Sequence, residues 1–152
     1  MSTSQESKYI FPQFEEIQAY KQEKRACELF KEYFENDFTF RSIIVANFMP
    51  DLKFFLPEGA PPYESPKEDA EATSIRRIFD KKIIAKYVDT GTPVNAIRAA
   101  KLENSFVLVL EGLTKKDAEI IIAMKDKKLT TLYPMITHTF ATKAVGDKLS
   151  DI

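Results

Sequence analysis

Five lysines form the best local charge cluster of the sequence and are its best candidates for binding chemistry. They open and close one predicted helix: Lys115, Lys116, Lys125, Lys127 and Lys128. Lysines contact phosphate without reading base sequence. Single-strand binders usually interleave such cations with stacking aromatics, and Tyr133 is the only aromatic near the cluster. The pattern favours a solvated helix whose C-terminal lysines offset the helix dipole, with nucleic-acid or partner contact as the alternative.

Residues that perform covalent or metal chemistry are sparse. The single histidine, His138, and the single cysteine, Cys27, cannot complete a zinc site built from nitrogen and sulfur ligands. The glycine-rich phosphate loops, H-E-x-x-H, the EF-hand loop and G-x-S-x-G are missing. We expect His138 to lie at a helix start and Cys27 to be a small buried hydrophobe. The sequence therefore predicts no catalytic residue, no metal ligand, no cofactor and no enzymatic activity.

Adjacent carboxylates occur at residues 15–16 and 68–69. General acid–base catalysis needs two carboxyl groups that converge in a cleft, whereas neighbouring residues on a helix point in different directions. We interpret both pairs as solvated charges rather than as a catalytic pair.

Five of the eight prolines lie between residues 50 and 66. Proline fixes φ and disfavours helix at the preceding residue, so this segment is expected to be extended. Two interpretations are open for Pro61, Pro62 and Tyr63. They could offer a polyproline-type ligand to an aromatic groove of a partner, which makes them candidate partner-binding residues. The interpretation we favour is a strap laid over the protein's own core, because its aromatic residues would otherwise form an exposed apolar patch.

Composition limits the class of protein. The chain has 152 residues, 44% of them hydrophobic, and a formal net charge of −1. This length suits one domain with a real core, and the charge balance gives no global field that would attract nucleic acid. The longest apolar runs are far shorter than the roughly 20 residues of a membrane span. With a single cysteine and no hydrophobic stretch of the signal-peptide kind, we expect a cytoplasmic protein that acts without a membrane.

Apolar spacing predicts a mainly α fold, a compact bundle of six to seven short helices with one extended proline-rich crossing segment. We expect a disordered tail at 1–12, a single helical domain at 13–146 and a second tail at 147–152. Within the domain, 13–49 holds the N-terminal helices, 50–66 the strap and 67–146 the C-terminal helices. The pattern from 13 to 35 fits either one long helix or two short ones, because its charged middle lacks an apolar anchor.

Local signals place the remaining elements. Asp37 is predicted to cap a helix over 38–48. The acidic run at 64–71 is expected to start a helix that continues to residue 87, and the next helix is expected to run from 93 to 110. Gly112 suits a left-handed C-terminal cap, and Thr114 with Asp117 resembles a capping box. Residues 129–135 are predicted to be a loop, after which Thr137 caps the last helix.

Two strings resemble an uncharacterised family encoded by T-even-like tailed phages, including marine cyanophages. One is L-P-E-G-A-P-P-Y at 56–63; the other joins L-E-G-L at 110–113, K-D-A-E at 116–119 and M-K-D-K-K-L at 124–129. The resemblance runs from about residue 14 to 145. It implies a phage origin and a protein made inside the infected host cell, but no chemical role for any residue. This chain departs from the family in its aromatic first part and its acidic run at 64–71.

These observations lead to three functional hypotheses. The first is a non-enzymatic accessory protein that binds another phage or host protein. The second is a nucleic-acid-binding factor in phage replication or transcription that uses the lysine cluster. The third is a structural component of the virion. The sequence leaves the homo-oligomeric state open.

Overall fold

The computed structural model describes residues 8–64 and 71–150. The described residues form eight α-helices: α1 Phe11–Ala19, α2 Glu23–Asn36, α3 Phe38–Phe48, α4 Ile75–Asp80, α5 Ala96–Glu111, α6 Lys115–Lys125, α7 Leu129–Leu132 and α8 His138–Val145. Two 3₁₀ turns, Ile84–Tyr87 and Gly146–Ser150, complete the elements. The mainly α prediction is confirmed.

The first three helices pack together around aromatic side chains. Tyr20 is extended at ψ 136°, so the helix ends there, and of the two alternatives left open for this segment the structure has two short helices. Asp37 then caps α3 as predicted, because its side chain accepts from the Phe40 N–H. The Phe40 ring lies 4.8 Å from that of Phe14 and 5.3 Å from that of Phe30. Such contacts add to the burial of large rings, so this cluster anchors the core.

A buried polar network attaches α4 to these helices. Arg76 Nη1 donates to both carboxylate oxygens of Asp37 at 2.8 Å, and Arg76 Nη2 donates to Gln13 Oε1 at 2.6 Å. Gln13 Nε2 donates back to the same carboxylate. A half-buried guanidinium with this many charged hydrogen bonds fixes the position of α4 relative to α1 and α3.

The predicted helix through residue 87 is wrong. Helix α4 begins only at Ile75, where Ser74 caps it, and ends at Asp80. Lys82 then takes φ +59°, a left-handed conformation that no helix can continue through. The expected helix start in the acidic run falls largely on 65–70, outside the described residues.

Two predictions about α5 are also wrong. The helix begins at Ala96 rather than at residue 93, because Asn95 provides the cap by accepting from the Arg98 N–H. Its end at Gly112 has φ −83° and is therefore not a left-handed cap. The Thr114 and Thr137 caps of α6 and α8 are confirmed, since each hydroxyl accepts from the backbone N–H three residues later. The predicted loop at 129–135 contains the single turn of α7.

Both expected tails reach too far into the folded chain. Ile10 is fully buried and α1 starts at Phe11, two residues before the predicted boundary. At the other end Leu149 is 5% exposed and packs on the core from the last 3₁₀ turn. Apolar side chains therefore hold both ends of the described chain.

Candidate interaction surfaces

The strap crosses the surface in an extended form and pairs with the segment after the 3₁₀ turn at 84–87. Phe54 forms an isolated antiparallel bridge with Val88. The Phe55 N–H donates to the Tyr87 carbonyl at 2.9 Å, and the Asp89 N–H donates to the Lys53 carbonyl at 2.7 Å. The extended strap therefore pairs with another short extended segment of the same chain.

The end of α6 clamps the middle of the strap. Lys125 Nζ donates to the Pro57 carbonyl at 2.7 Å and also pairs with the carboxylate of Asp126. Asp126 Oδ2 in turn accepts from the Gly59 N–H at 2.9 Å. The two strings that carry the family resemblance therefore touch each other in the fold.

Two of the lysines predicted to contact a partner, Lys125 and Lys127, instead make hydrogen bonds within the protein. The side chain of Lys125 is 2% exposed. Lys127 Nζ donates to the carbonyls of Ala46 and Met49 at 2.7 Å, where α3 ends. A cation at a helix C-terminus satisfies free carbonyls and offsets the dipole, but the helix it serves is α3 rather than its own. Burial lowers the pKa of Lys127.

The other three lysines are exposed. Lys128 pairs with Glu58 of the strap, which raises the pKa of Lys128. Lys116 pairs with Glu15 at 2.6 Å. Lys115 is exposed at the start of α6, the end opposite Lys128. The structure thus divides the predicted cluster between two ends of one helix, and most of its ammonium groups have partners within the chain.

The predicted partner-binding residues of the strap have different surroundings. Pro62 is exposed, while Pro61 lines a cavity of about 210 Å³ between the strap, α5 and Lys125. Tyr63 is half-buried and packs on the core, and burial raises the pKa of its hydroxyl. Two of the three residues therefore face the protein itself, as in the strap interpretation.

A groove of about 200 Å³ opens where α3, the strap and the 3₁₀ turn at 84–87 meet. Almost all of its lining is apolar: Phe38, Ser42, Ala46, Leu52, Phe54, Phe79, Lys82, Ile84, Ala85, Val88 and Met124. We call this the apolar groove. Its floor, Met124 and Phe79, belongs to the core, whereas Phe38 on its rim is 52% exposed.

The rim of the apolar groove is cationic. Lys82 lines it, and the Arg41 guanidinium lies 5.8 Å from the centre of the Phe38 ring. Its described lining contains no carboxylate. The sequence did not predict this site, because its walls come from residues 38–54 and 79–88 and hydrophobic periodicity does not show which distant segments contact each other. The one feature that could have indicated it is Phe38, a phenylalanine directly after the Asp37 cap that does not belong to the buried face of α3.

Asp117 is a second feature that the sequence did not reveal. Its carboxylate does not complete a capping box but accepts from the N–H groups of Ile10 at 3.2 Å and Phe11 at 3.0 Å. It therefore caps α1, whose own N-cap residue makes no side-chain cap bond. The side chain is fully buried, and Oδ2 has no hydrogen-bond partner among the described residues. Burial raises the pKa of Asp117 to about 6, against the opposing pull of the two N–H groups and of Arg76.

The reactive residue types lie apart from one another. His138 begins α8 and its ring meets that of Phe48 edge to face, 5.8 Å away. Cys27 is half-buried on α2, and burial raises the pKa of its thiol. Glu15 and Glu16 bind different partners, Lys116 and the Tyr33 hydroxyl. The pair at 68–69 lies outside the described residues.

Within residues 8–64 and 71–150, no three histidine, cysteine or carboxylate side chains are grouped so that they could hold a metal ion. In the same ranges, no helix has the length and apolar character that crossing a bilayer requires.

Comparison with known proteins relates this chain to a family of unknown function. No curated protein and no solved structure is significantly similar to this chain. The model of a family of unknown function, DUF6433, matches residues 14–131, which include the strap, the clamp from α6 and every lining residue of the apolar groove. Because that match covers more than half of the sequence, the chain belongs to the DUF6433 family.

Proposed function

We propose that this is a non-enzymatic phage accessory protein that binds another phage or host protein through the apolar groove. One observation carries the proposal: a concave, almost wholly apolar surface lies open beside a half-exposed Phe38. Exposed apolar surface of this shape usually marks a place where another molecule binds. The phage origin and the host cytoplasm as its location rest on the resemblance of the two strings.

The groove favours a partner of particular chemistry. A volume of about 200 Å³ accommodates one or two bulky side chains rather than a large cofactor. Lys82 and Arg41 on the rim favour acidic residues beside that anchor, since complementary charge steers association and fixes register. The expected ligand is a short segment, helical or extended, with a large apolar side chain next to Asp or Glu.

Photo-cross-linking from the rim of the groove tests this. A photoreactive phenylalanine analogue at position 82, where Lys82 is an exposed rim residue, is expected to trap the partner in phage-infected cells. Ala85→Trp fills the groove, and Phe38→Glu places a carboxylate on its rim; both should reduce recovery of that partner at least about tenfold. Tyr20→Glu makes a similar change at a 39% exposed aromatic elsewhere and should leave recovery unchanged. Equal recovery with all three variants would refute the groove as the binding site.

Nucleic-acid binding is the alternative, and it has less support. Lys125 and Lys127 are occupied with carbonyls of the strap and of α3, and Lys116 and Lys128 with carboxylates. If the alternative is right, affinity for single- or double-stranded DNA or RNA should fall steeply between 50 and 200 mM salt. Mass spectrometry of purified particles tests the remaining alternative, a virion component.

A further inference from the structure

The strap has a free backbone edge beside the apolar groove. Residues 53–55 of the strap and residues 87–89 form a short antiparallel ribbon centred on the Phe54–Val88 bridge. Both hydrogen bonds of this ribbon join the residues that flank the bridge, one bond on each side. In an antiparallel pair of this kind, the backbone N–H and C=O groups of the two bridged residues point away from each other. Those of Phe54 therefore point outward, along the unpaired edge of the strap.

The outer edge of the strap is unused within the part of the chain that the structure describes. The Phe54 N–H, the Phe54 carbonyl and the Leu52 carbonyl have no hydrogen-bond partner among the described residues. Buried backbone polar groups are nearly always paired, so these three groups face water. The other edge of the ribbon offers less, because the Val88 N–H already donates to the Ala85 carbonyl. The strap edge is therefore the one that has both a donor and acceptors available for a further strand.

The side chains beside this edge belong to the apolar groove. Leu52, Phe54 and Val88 all line it. This is the arrangement expected of alternate residues on one strand and of a bridged pair, whose side chains share a face. A strand added at the free edge would continue the alternation. Its residue opposite Phe54 would present its side chain on the groove face, and the neighbours of that residue would point to the other face.

We propose that the partner binds as an extended strand added to the strap at Phe54, with one large apolar side chain in the apolar groove. This mode rests on the proposed function and makes the ligand extended rather than helical. A helix satisfies its backbone groups internally, so it leaves the three free groups of the strap unused. Strand addition uses them for affinity and takes its specificity from side-chain pockets beside the edge.

Lys53 indicates where an acidic residue of the ligand should lie. It is exposed and directly precedes Phe54, so alternation places its side chain on the face opposite the groove. A ligand residue next to the apolar anchor lies across from Lys53, and opposite charges at such a cross-strand pair attract. The expected ligand therefore has Asp or Glu directly beside its anchor in sequence.

N-methyl scanning of a selected peptide tests the added strand. Linear ten-residue peptides are selected from a displayed random library on the full chain, and the tightest binder is synthesised as the probe. N-methylation at the two alternate positions that donate to the Phe54 and Leu52 carbonyls should weaken binding at least about tenfold, and at the position between them less than about threefold. Exchange of the Phe54 amide hydrogen should slow at least about tenfold in the complex. A probe without this alternation, and with unchanged exchange at Phe54, overturns the proposal.

A charge swap tests the position of the acidic residue. Lys53→Glu should weaken binding of the probe at least about threefold, and replacing the probe's acid beside the anchor with lysine should restore it. Lys24→Glu, the same reversal at an exposed lysine of α2, is the matched control and should leave the affinity unchanged. A probe that lysine does not rescue would overturn the pairing with Lys53.

Phe38→Glu separates this mode of binding from the proposed function, because it changes the rim of the groove and leaves the strap edge intact. It should weaken binding of the probe at least about tenfold, since it places a carboxylate beside the anchor and the ligand's acid. Equal affinity for the natural chain and for Phe38→Glu would refute the groove and the added strand together. Weakened binding without the alternation of the N-methyl scan would refute the strand alone.

Discussion

The buried carboxylate of Asp117 connects the start of α6 with the start of α1. Asp117, at the start of α6, provides the cap that α1 lacks. Its Oδ1 accepts both of these N–H groups, and its Oδ2 has no hydrogen-bond partner among the described residues. A charged group in this position is stabilised by its donors but destabilised by the loss of water. The loss of hydration has the larger effect, so the pKa of Asp117 is raised. This shift makes the free energy of unfolding depend on pH.

Asp117→Asn should remove a pH dependence of stability. The pKa of Asp117 is raised from 3.8 to about 6 in the folded state, so the folded chain binds a proton more tightly than the unfolded chain. The free energy of unfolding should therefore fall as pH rises from about 4 to above 6, by on the order of 3 kcal/mol from this group. Urea denaturation of both proteins at pH 4, 5, 6 and 7 measures the difference. Parallel curves for the two proteins would contradict the assignment.

Two lysines occupy the left-handed region, each just after a helix: Lys82 at φ +59° and Lys127 at φ +60°. Glycine at such positions relieves about 1 kcal/mol of strain. Lys82→Gly should therefore stabilise the protein by up to about 1 kcal/mol. Lys127→Gly should destabilise it by about 1 kcal/mol or more, because it also removes two charged hydrogen bonds to the end of α3. Thermal unfolding of the two variants checks the opposite signs.

At the scale of elements, the strap is held in place by side chains at the end of α6. The Lys125–Asp126 pair holds both Pro57 and Gly59, and it is almost fully buried. The Lys128–Glu58 pair beside it is exposed, with side chains 56% and 71% accessible. Buried pairs are costly to break on one side, whereas exposed ones contribute little.

Lys125→Met should loosen the strap while Lys128→Met leaves it in place. Loss of the Lys125 ammonium leaves the Pro57 carbonyl without its donor and removes the Lys125 donor from the Asp126 carboxylate, which keeps the Gly59 N–H. Exchange of the Gly59 amide hydrogen should then speed up by roughly tenfold or more, which corresponds to about 1.4 kcal/mol. The Lys128 variant serves as the matched control. Equal exchange rates in the two variants would show that the clamp does not hold the strap.

The elements were predictable where a local signal sufficed. Caps at Asp37, Thr114 and Thr137 lie within three residues of the N–H groups they satisfy, so the sequence reveals them. The end of α4 was not predicted, because Lys82 there adopts a positive φ, a conformation normally expected of glycine. The apolar groove and the α1 cap depend on residues far apart in the chain. Only the packed structure brings those residues together.

At the scale of the whole molecule, both ends of the described chain contribute to one core. Ile10 and Leu149 are buried at opposite ends of the sequence, and Leu149 reaches the core from the 3₁₀ turn that contacts α3 and α8. The last turn is therefore a structural part of the bundle.

Leu149→Ala should destabilise the protein by about 2–3 kcal/mol, because it removes buried apolar volume from a packed core. Lys148→Ala removes only an exposed ion pair with Glu35 from the same turn and should change stability by less than about 1 kcal/mol. Guanidinium denaturation of both variants provides the comparison. Similar midpoints for the two would indicate that the last turn does not contribute to the core.

The α1 cap has a consequence for the order in which the chain is made. Asp117 is synthesised more than a hundred residues after Ile10 and Phe11, whose N–H groups it satisfies. At about 5–20 residues per second, the ribosome needs roughly 5–20 s to cover that distance. During this interval the first helix has emerged without its cap. Its final docking therefore waits for α6, and the N-terminal segment is among the last parts of the nascent protein to become fixed.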